Sequence, residues 1–154
     1  MTAPFIIDVH THIGPTQGFE AHHGALDAML ATMDLLRVEV ACFSAMPLLE
    51  NQFDSGHRMT LKALENHPDR LRAYGVFNPN WPEPSMRSLE DLMPHPGFVG
   101  VKIHPAMHAA GPEDERYIPL WELADTKGLV VLAHTWSPDP AKPAQDLSVP
   151  ERFE

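Results

Sequence analysis

The chain has 154 residues, and its 21 acidic residues outnumber its 11 basic ones, which gives a net charge of −10 at pH 7. This length favours one domain, and a hydrophobic content of 44% is typical of a globular protein. The negative charge argues against a partner that is nucleic acid or an anionic membrane, because both attract clustered Lys and Arg side chains.

Short apolar segments alternate with segments of helical period along the chain. The predicted strands are residues 5–9, 38–43, 71–77, 98–103 and 129–133. Two predicted helices span residues 26–36 and 84–92. A third is capped by Asp54 and runs through Leu64, and a fourth has Pro119 in its first turn and ends before Gly128. Because the strands recur about every 30 residues and show little polar alternation, they predict βαβ units and a parallel sheet in an α/β fold.

The spacing of the strands is compatible with two folds. A TIM-barrel-type (β/α)₈ fold usually needs about 250 residues, so this chain would supply five of its eight strands. An open, doubly wound sheet of five strands is the alternative. Residues 137–154 hold four prolines and no apolar period, which predicts a loop or frayed tail after a domain of residues 1–136.

Polar residues stand at alternate positions at the end of the first strand. Asp8, His10 and His12 share one face there, because successive side chains of a strand point to opposite sides. Two imidazoles on one face can ligate a divalent metal such as zinc, and Asp8 could fix the tautomer of one ring. The alternative is a surface strand with polar residues near its end, since two histidines do not fill the coordination sphere of zinc.

His134 occupies the equivalent place at the end of the fifth strand. Parallel strands end at one edge of a sheet, so we expect His134 beside His10 and His12. Three histidines would leave one zinc position open, which is typical of a catalytic site. A histidine that caps a loop is the alternative.

Lys102 and His104 at the end of the fourth strand are the predicted catalytic residues. A lysine within an apolar strand needs a partner or a function. It could bridge two metals if carbamylated, bind a substrate carboxylate or pair with Asp8, and a structural ion pair is the alternative. His104 could act as an acid or base or as a hydrogen-bond donor to substrate, with a loop histidine as the alternative.

The other residues give weaker signals. His22 and His23 are predicted in the first loop, His57 and His67 on a helix surface, and His95 and His108 in loops. Cys42 is the only cysteine and is predicted to lie in the core, which excludes an internal disulfide and favours a cytoplasmic location. There is no nucleophile elbow, phosphate-binding loop or dinucleotide fingerprint.

Three segments together resemble the amidohydrolase superfamily: FIIDVHTHIG at 5–14, GVKIHP at 100–105 and VVLAHT at 130–135. The most similar branch is the amidohydrolase 2, or aminocarboxymuconate-semialdehyde decarboxylase-like, group. Its members are metal-dependent hydrolases, lactonases, hydratases and non-oxidative decarboxylases on a (β/α)₈ barrel. The resemblance implies that His10, His12 and His134 are ligands of a divalent metal, zinc or else manganese. Lys102 falls where some binuclear members carry a bridging carbamylated lysine.

The family also uses a histidine after strand six and an aspartate after strand eight, and this sequence ends before those strands. The resemblance therefore implies a barrel truncated after strand five. The expected function is amide, ester or lactone hydrolysis, or decarboxylation, of a small-molecule substrate, impaired by the truncation. The alternative is a non-catalytic, metal-binding half-barrel fragment or a module that self-associates into a homo-oligomer through open sheet edges. A metal-dependent phosphoesterase or nuclease is a third, weaker hypothesis.

Overall fold

The computed structural model describes residues 4–15 and 26–135. Five strands form one sheet in sequence order, and each neighbouring pair is parallel. They are β1 (Ile6–Ile13), β2 (Val38–Ala45), β3 (Leu71–Val76), β4 (Phe98–Ile103) and β5 (Val131–Ala133). The predicted parallel sheet of a TIM-barrel-type fold is confirmed. The expectations for 137–154 and for His22 and His23 concern residues outside the described ranges.

Helices connect each strand to the next. They are α1 (Leu26–Leu36), α2 (Met46–Leu49), α3 (Phe53–Asn66), α4 (Pro82–Leu92), α5 (Pro105–His108) and α6 (Ile118–Lys127), with one 3₁₀ turn at Glu115–Tyr117. In the part of the chain that the structure describes, no helix has the length and apolar character needed to cross a membrane. Because every connection returns the chain to the same end of the sheet, the carboxyl ends of all five strands share one edge.

Some element boundaries differ from the prediction. β1 extends to Ile13, beyond the predicted range of 5–9, so His10 and His12 lie within the strand, on which their predicted alternation depends. Asp54 is not the N-cap of α3: Gln52 holds that position without a side-chain capping bond, and Asp54 lies in the first turn. A carboxylate there is still favoured by the positive end of the helix dipole. The helices α2 and α5 were not predicted, because four residues are too few to show a helical period.

Two apolar clusters hold the helices on the sheet. The first joins β1, β2 and β3 to α1, α2 and α3, with Phe43 and Leu64 fully buried. The second surrounds β4 and β5 with α4 and α6, and Phe77 and Tyr117 are its largest members. Burial of one such large side chain contributes about 1.5–3 kcal/mol relative to exposure. Cys42 is buried as predicted.

β1 forms one end of the described sheet and exposes apolar side chains. Phe5, which directly precedes the strand, is 70% exposed, and Val9 within it is 57% exposed. The strand is tied to the sheet by its pairing with β2 and by Tyr74, whose hydroxyl donates to the carbonyl oxygen of Val9 at 3.1 Å. β1 has neither Lys nor Pro, the residues that commonly discourage pairing with another strand. This edge therefore resembles a surface that pairs with a further β-strand.

Candidate functional site

The two histidines of β1 lie side by side at the carboxyl edge of the sheet. The rings of His10 and His12 have centroids 5.1 Å apart and meet edge to face. This agrees with the alternation of side chains along the strand. Asp8 lies on the same strand, but its carboxylate accepts from the backbone N–H of His10 at 3.0 Å rather than from a ring nitrogen. Asp8 thus shapes the strand and does not fix a histidine tautomer.

Ser44 on the neighbouring strand β2 contacts the ring of His12. Its hydroxyl lies 3.0 Å from Nδ1 of His12, in line with the pairing of these two residues across the sheet. Burial, reinforced by the nearby His10 ring and Lys102, lowers the pKa of His12 to about 4. The ring is therefore neutral at pH 7. In the tautomer in which Nδ1–H donates to the Ser44 hydroxyl, the lone pair of Nε2 is available to a ligand.

Lys102 on β4 is fully buried and reaches across the sheet to β1. Its Nζ lies 3.2 Å from Nε2 of His10. Burial lowers the pKa of Lys102 to about 8. Burial, and then the charge of Lys102, lower the pKa of His10, so that ring is neutral as well. The structure gives this lysine a partner that the sequence did not suggest, His10, and does not pair it with Asp8.

His104 and His134 form a second pair at the ends of β4 and β5. Their rings stack with centroids 3.8 Å apart and planes inclined by 15°. His104 Nδ1 accepts from the backbone N–H of Met107 at 3.1 Å, so the neutral ring carries its proton on Nε2. Burial, and then the neighbouring His134 and Lys102, lower the pKa of His104 to about 3. His104 is thus a neutral hydrogen-bond donor near pH 7.

The side chains at this edge supply some, but not all, of the ligands that a divalent metal needs. His10 and His12 are neutral imidazoles on one face, which is the form and placement in which histidine binds zinc or manganese. Among residues 4–15 and 26–135, however, no three His, Cys, Asp or Glu side chains are gathered around a common point for an ion. His134 lies beside His104 instead of closing a three-histidine group. Its role as the third ligand therefore remains a prediction.

A chain of polar contacts joins the loops that follow β2, β3 and β4. The side-chain amide of the buried Asn78 donates to Asn51, and the backbone N–H of Asn80 donates to the Asn78 side chain at 2.9 Å. Arg116 donates to the Asn80 side chain and pairs with Asp114 at 2.6 Å. We call these five residues the rim network. It fixes the three loops relative to one another beside the strand-end histidines.

Two residues that contact the strand-end histidines, Ser44 and His108, were not predicted from the sequence to belong to the site. Ser44 could have been found as a polar residue at the end of an otherwise apolar strand, in register with His12. His108, predicted in a loop without a role, is a buried member of α5. Its Nε2 donates to the carbonyl oxygen of Leu49 at 3.1 Å, and its ring centroid lies 6.3 Å from that of His104. No sequence pattern signals that packing.

Comparisons with known proteins agree with this architecture. A family model described as Amidohydrolase matches residues 7–153. No curated protein matches the chain. Among solved structures, the chain is similar to 2,6-dihydroxybenzoate decarboxylase from Rhizobium, with 14% identity and a TM-score of 0.69 over 92% of this chain and 53% of that one.

Two further structures show the same fold. 5-Carboxyvanillate decarboxylase from Sphingomonas paucimobilis is 16% identical, with a TM-score of 0.71 over 91% of this chain and 55% of that one. Dihydroxybenzoic acid decarboxylase from Polaromonas, solved with manganese and 2-nitroresorcinol, is 16% identical, with a TM-score of 0.67 over 92% and 52%. The chain thus spans about half the length of the solved structures that it matches.

Proposed function

The chain belongs to the amidohydrolase family, and from that membership we propose that its strand-end histidines form a divalent-metal site acting on a small organic substrate. The observation that carries this proposal is the His10–His12 pair, two neutral rings 5.1 Å apart at the edge where strands of this fold place their active residues. We propose His134 as the third ligand, reached by leaving its stack on His104. Zinc is the expected metal, with manganese as the alternative because the similar Polaromonas enzyme holds it.

The two predicted catalytic residues have distinct roles in this proposal. A bound divalent cation would supply Lewis acidity toward a substrate oxygen. His104 donates a hydrogen bond from Nε2 without becoming charged, since Met107 holds its other nitrogen. Lys102 supplies buried N–H donors for a substrate carboxylate or phenolate. Both side chains therefore orient a substrate and stabilise negative charge on it.

Two reaction types fit this arrangement: hydrolysis of an amide, ester or lactone, and non-oxidative decarboxylation. The similar solved structures favour the second, since those of Rhizobium, Sphingomonas and Polaromonas are decarboxylases of aromatic acids. A lysine able to hold a carboxylate favours an acid substrate as well. We therefore place decarboxylation of an aromatic acid first and hydrolysis second.

The test uses the purified 154-residue chain, stripped of metal and reloaded with Zn²⁺ or Mn²⁺. Release of CO₂ from 2,6-dihydroxybenzoate and from 5-carboxyvanillate is measured beside hydrolysis of a fluorogenic ester and a lactone. Metal content is measured in the same samples, for the wild-type chain and for His10→Ala/His12→Ala. The matched control is His57→Ala/His67→Ala, which removes two imidazoles at α3.

Loss of bound metal in the β1 variant alone would support the site, and metal-dependent turnover would identify the reaction. Equal metal content in all three proteins would refute the metal site. Metal bound at β1 without turnover of any substrate would favour a second function, a non-catalytic metal-binding half-barrel.

The exposed edge of β1 specifically favours self-association as part of that second function. Phe5 and Val9 present apolar surface next to an edge that no strand of the described residues covers. We expect sedimentation velocity to show a homo-oligomer that Val9→Lys converts to monomer. An oligomer unchanged by Val9→Lys, or a monomeric wild-type chain, would exclude this edge as the interface. The single buried Cys42 is consistent with a cytoplasmic location for either function.

A further inference from the structure

The contact between Lys102 and His10 has a consequence for metal binding that goes beyond the proposed function and rests on it. We infer that Lys102 and a divalent cation compete for the same nitrogen of His10, and that an anionic ligand relieves this competition by accepting the displaced ammonium group. Lys102 thus lowers the intrinsic affinity of the site for metal. It also couples the binding of metal to the binding of a carboxylate.

The competition follows from the number of lone pairs on an imidazole. A neutral ring has one N–H donor and one acceptor nitrogen, and a lysine ammonium can only donate. The nitrogen of His10 that faces Lys102 at 3.2 Å is Nε2, so Nε2 is the acceptor and Nδ1 carries the proton. The one lone pair of the ring is therefore occupied. A metal ion reaches His10 only if Nζ of Lys102 leaves.

The two histidines of β1 are unequal for this reason. Ser44 contacts His12 at Nδ1, so Nε2 of His12 offers its lone pair when Nδ1 carries the ring proton, whereas Lys102 contacts His10 at the acceptor nitrogen itself. The positive charge of Lys102 also lies within hydrogen-bond distance of that nitrogen, where it repels an incoming cation. His12 thus has a tautomer that can accept a metal, whereas the acceptor nitrogen of His10 is occupied by Lys102.

The burial of Lys102 determines what must happen when it leaves His10. The residue is fully buried, and within residues 4–15 and 26–135 His10 is the hydrogen-bond partner found for its three N–H groups. A buried ammonium without an acceptor is strongly disfavoured, so displacement needs a new acceptor. The carboxylate of a ligand bound beside His104 meets that need, because it also balances the charge. Metal and carboxylate therefore favour each other, as linkage requires.

The experiment measures Mn²⁺ binding by titration calorimetry on the 154-residue chain, with and without 2,6-dihydroxybenzoate. The variants are Lys102→Met, which keeps the length of the side chain and removes its donors, and Lys62→Met on the exposed face of α3 as the matched control. Without carboxylate, we expect Lys102→Met to bind Mn²⁺ at least tenfold more tightly than the wild-type and control chains. The carboxylate should tighten Mn²⁺ binding at least fivefold in the wild-type chain and by less than twofold in Lys102→Met.

The results separate this inference from the proposed function. Equal or weaker Mn²⁺ binding by folded Lys102→Met would overturn the competition. Should this variant fail to fold, the wild-type chain alone decides, because a carboxylate that leaves Mn²⁺ affinity unchanged overturns the coupling. Mn²⁺ binding that persists in His10→Ala/His12→Ala would instead refute the metal site itself.

Discussion

Histidines at the strand ends differ in which ring nitrogen their neighbours occupy. Ser44 engages Nδ1 of His12, Lys102 engages Nε2 of His10, and the backbone N–H of Met107 engages Nδ1 of His104. A neutral imidazole has a single free acceptor, so each partner decides whether the ring can ligate, donate or do neither. The chemistry of the site is therefore set as much by these partners as by the histidines.

Replacing Ser44 with alanine should weaken metal binding. The variant loses the hydroxyl that orients His12, and loss of such a supporting contact commonly costs 10–100-fold in metal affinity. We expect a decrease in this range for Zn²⁺, measured by competition with a chromogenic chelator. Ser55→Ala at the start of α3 is the control. Equal affinities of Ser44→Ala and wild type would show that the hydroxyl does not orient the ring.

Two buried tyrosines should respond oppositely to loss of their hydroxyl groups. The hydroxyl of Tyr74 donates to Val9, whereas that of Tyr117 has no partner among the described residues. Tyr74→Phe should lower the free energy of unfolding by about 0.5–1.5 kcal/mol, and Tyr117→Phe should leave it unchanged or raise it. Urea unfolding followed by circular dichroism measures both. A larger loss for Tyr117→Phe than for Tyr74→Phe would contradict this account.

Among the elements, the pairing of β4 with β5 depends on one glycine. A Cβ added at Gly100 would lie 2.4 Å from the carbonyl oxygen of Val130, and that oxygen accepts the backbone N–H of Val101. The backbone of Gly100, with φ of +155°, also has a conformation that other residues rarely adopt. The clash is with main chain, which a change of side-chain rotamer cannot relieve.

Gly100→Ala should therefore separate β5 from β4. We expect a loss of about 2–3 kcal/mol in the free energy of unfolding, and faster amide exchange across β5. Gly128→Ala is the comparison, since Gly128 has open space around its Cβ position and only its left-handed φ of +64° opposes alanine. It should cost about 1 kcal/mol. Urea unfolding measures both losses. A larger loss for Gly128→Ala than for Gly100→Ala would contradict the role given to Gly100 in the pairing of β4 with β5.

The strands and most helices could be predicted from the sequence because their patterns are local. Apolar runs mark β2 and β4, and alternation within β1 places His10 and His12 on one face. The stacking of His134 on His104 could not be predicted, because it depends on how two side chains turn across neighbouring strands. The partner of Lys102 likewise depends on the distance between β1 and β4, which are separated by two strands in the sheet.

For the whole molecule, neutral histidines should make stability depend on pH. The pKa of His12 is lowered to about 4 and that of His104 to about 3, from an ordinary value of 6.5. Below pH 6.5 the unfolded chain binds protons that the folded chain excludes. Stability is thus fully present above pH 6.5 and falls as the pH drops toward 4 and then 3.

The urea midpoint should accordingly be lower at pH 5 than at pH 7.5. His104→Gln should reduce that difference, because it removes one of the rings that must stay neutral, while His67→Gln at the end of α3 serves as the control. An equally steep pH dependence in His104→Gln and wild type would show that burial of this ring is not a source of acid sensitivity.

The rim network has a consequence for engineering the loops that follow β2, β3 and β4. Asn78 connects the segments that follow β2 and β3, and Arg116 extends the connection beyond β4. An insertion or deletion in one segment would break hydrogen bonds that hold the other two. A change in one of the three segments therefore requires compensating changes in the others. Libraries for directed evolution should vary them jointly and keep Asn78 constant.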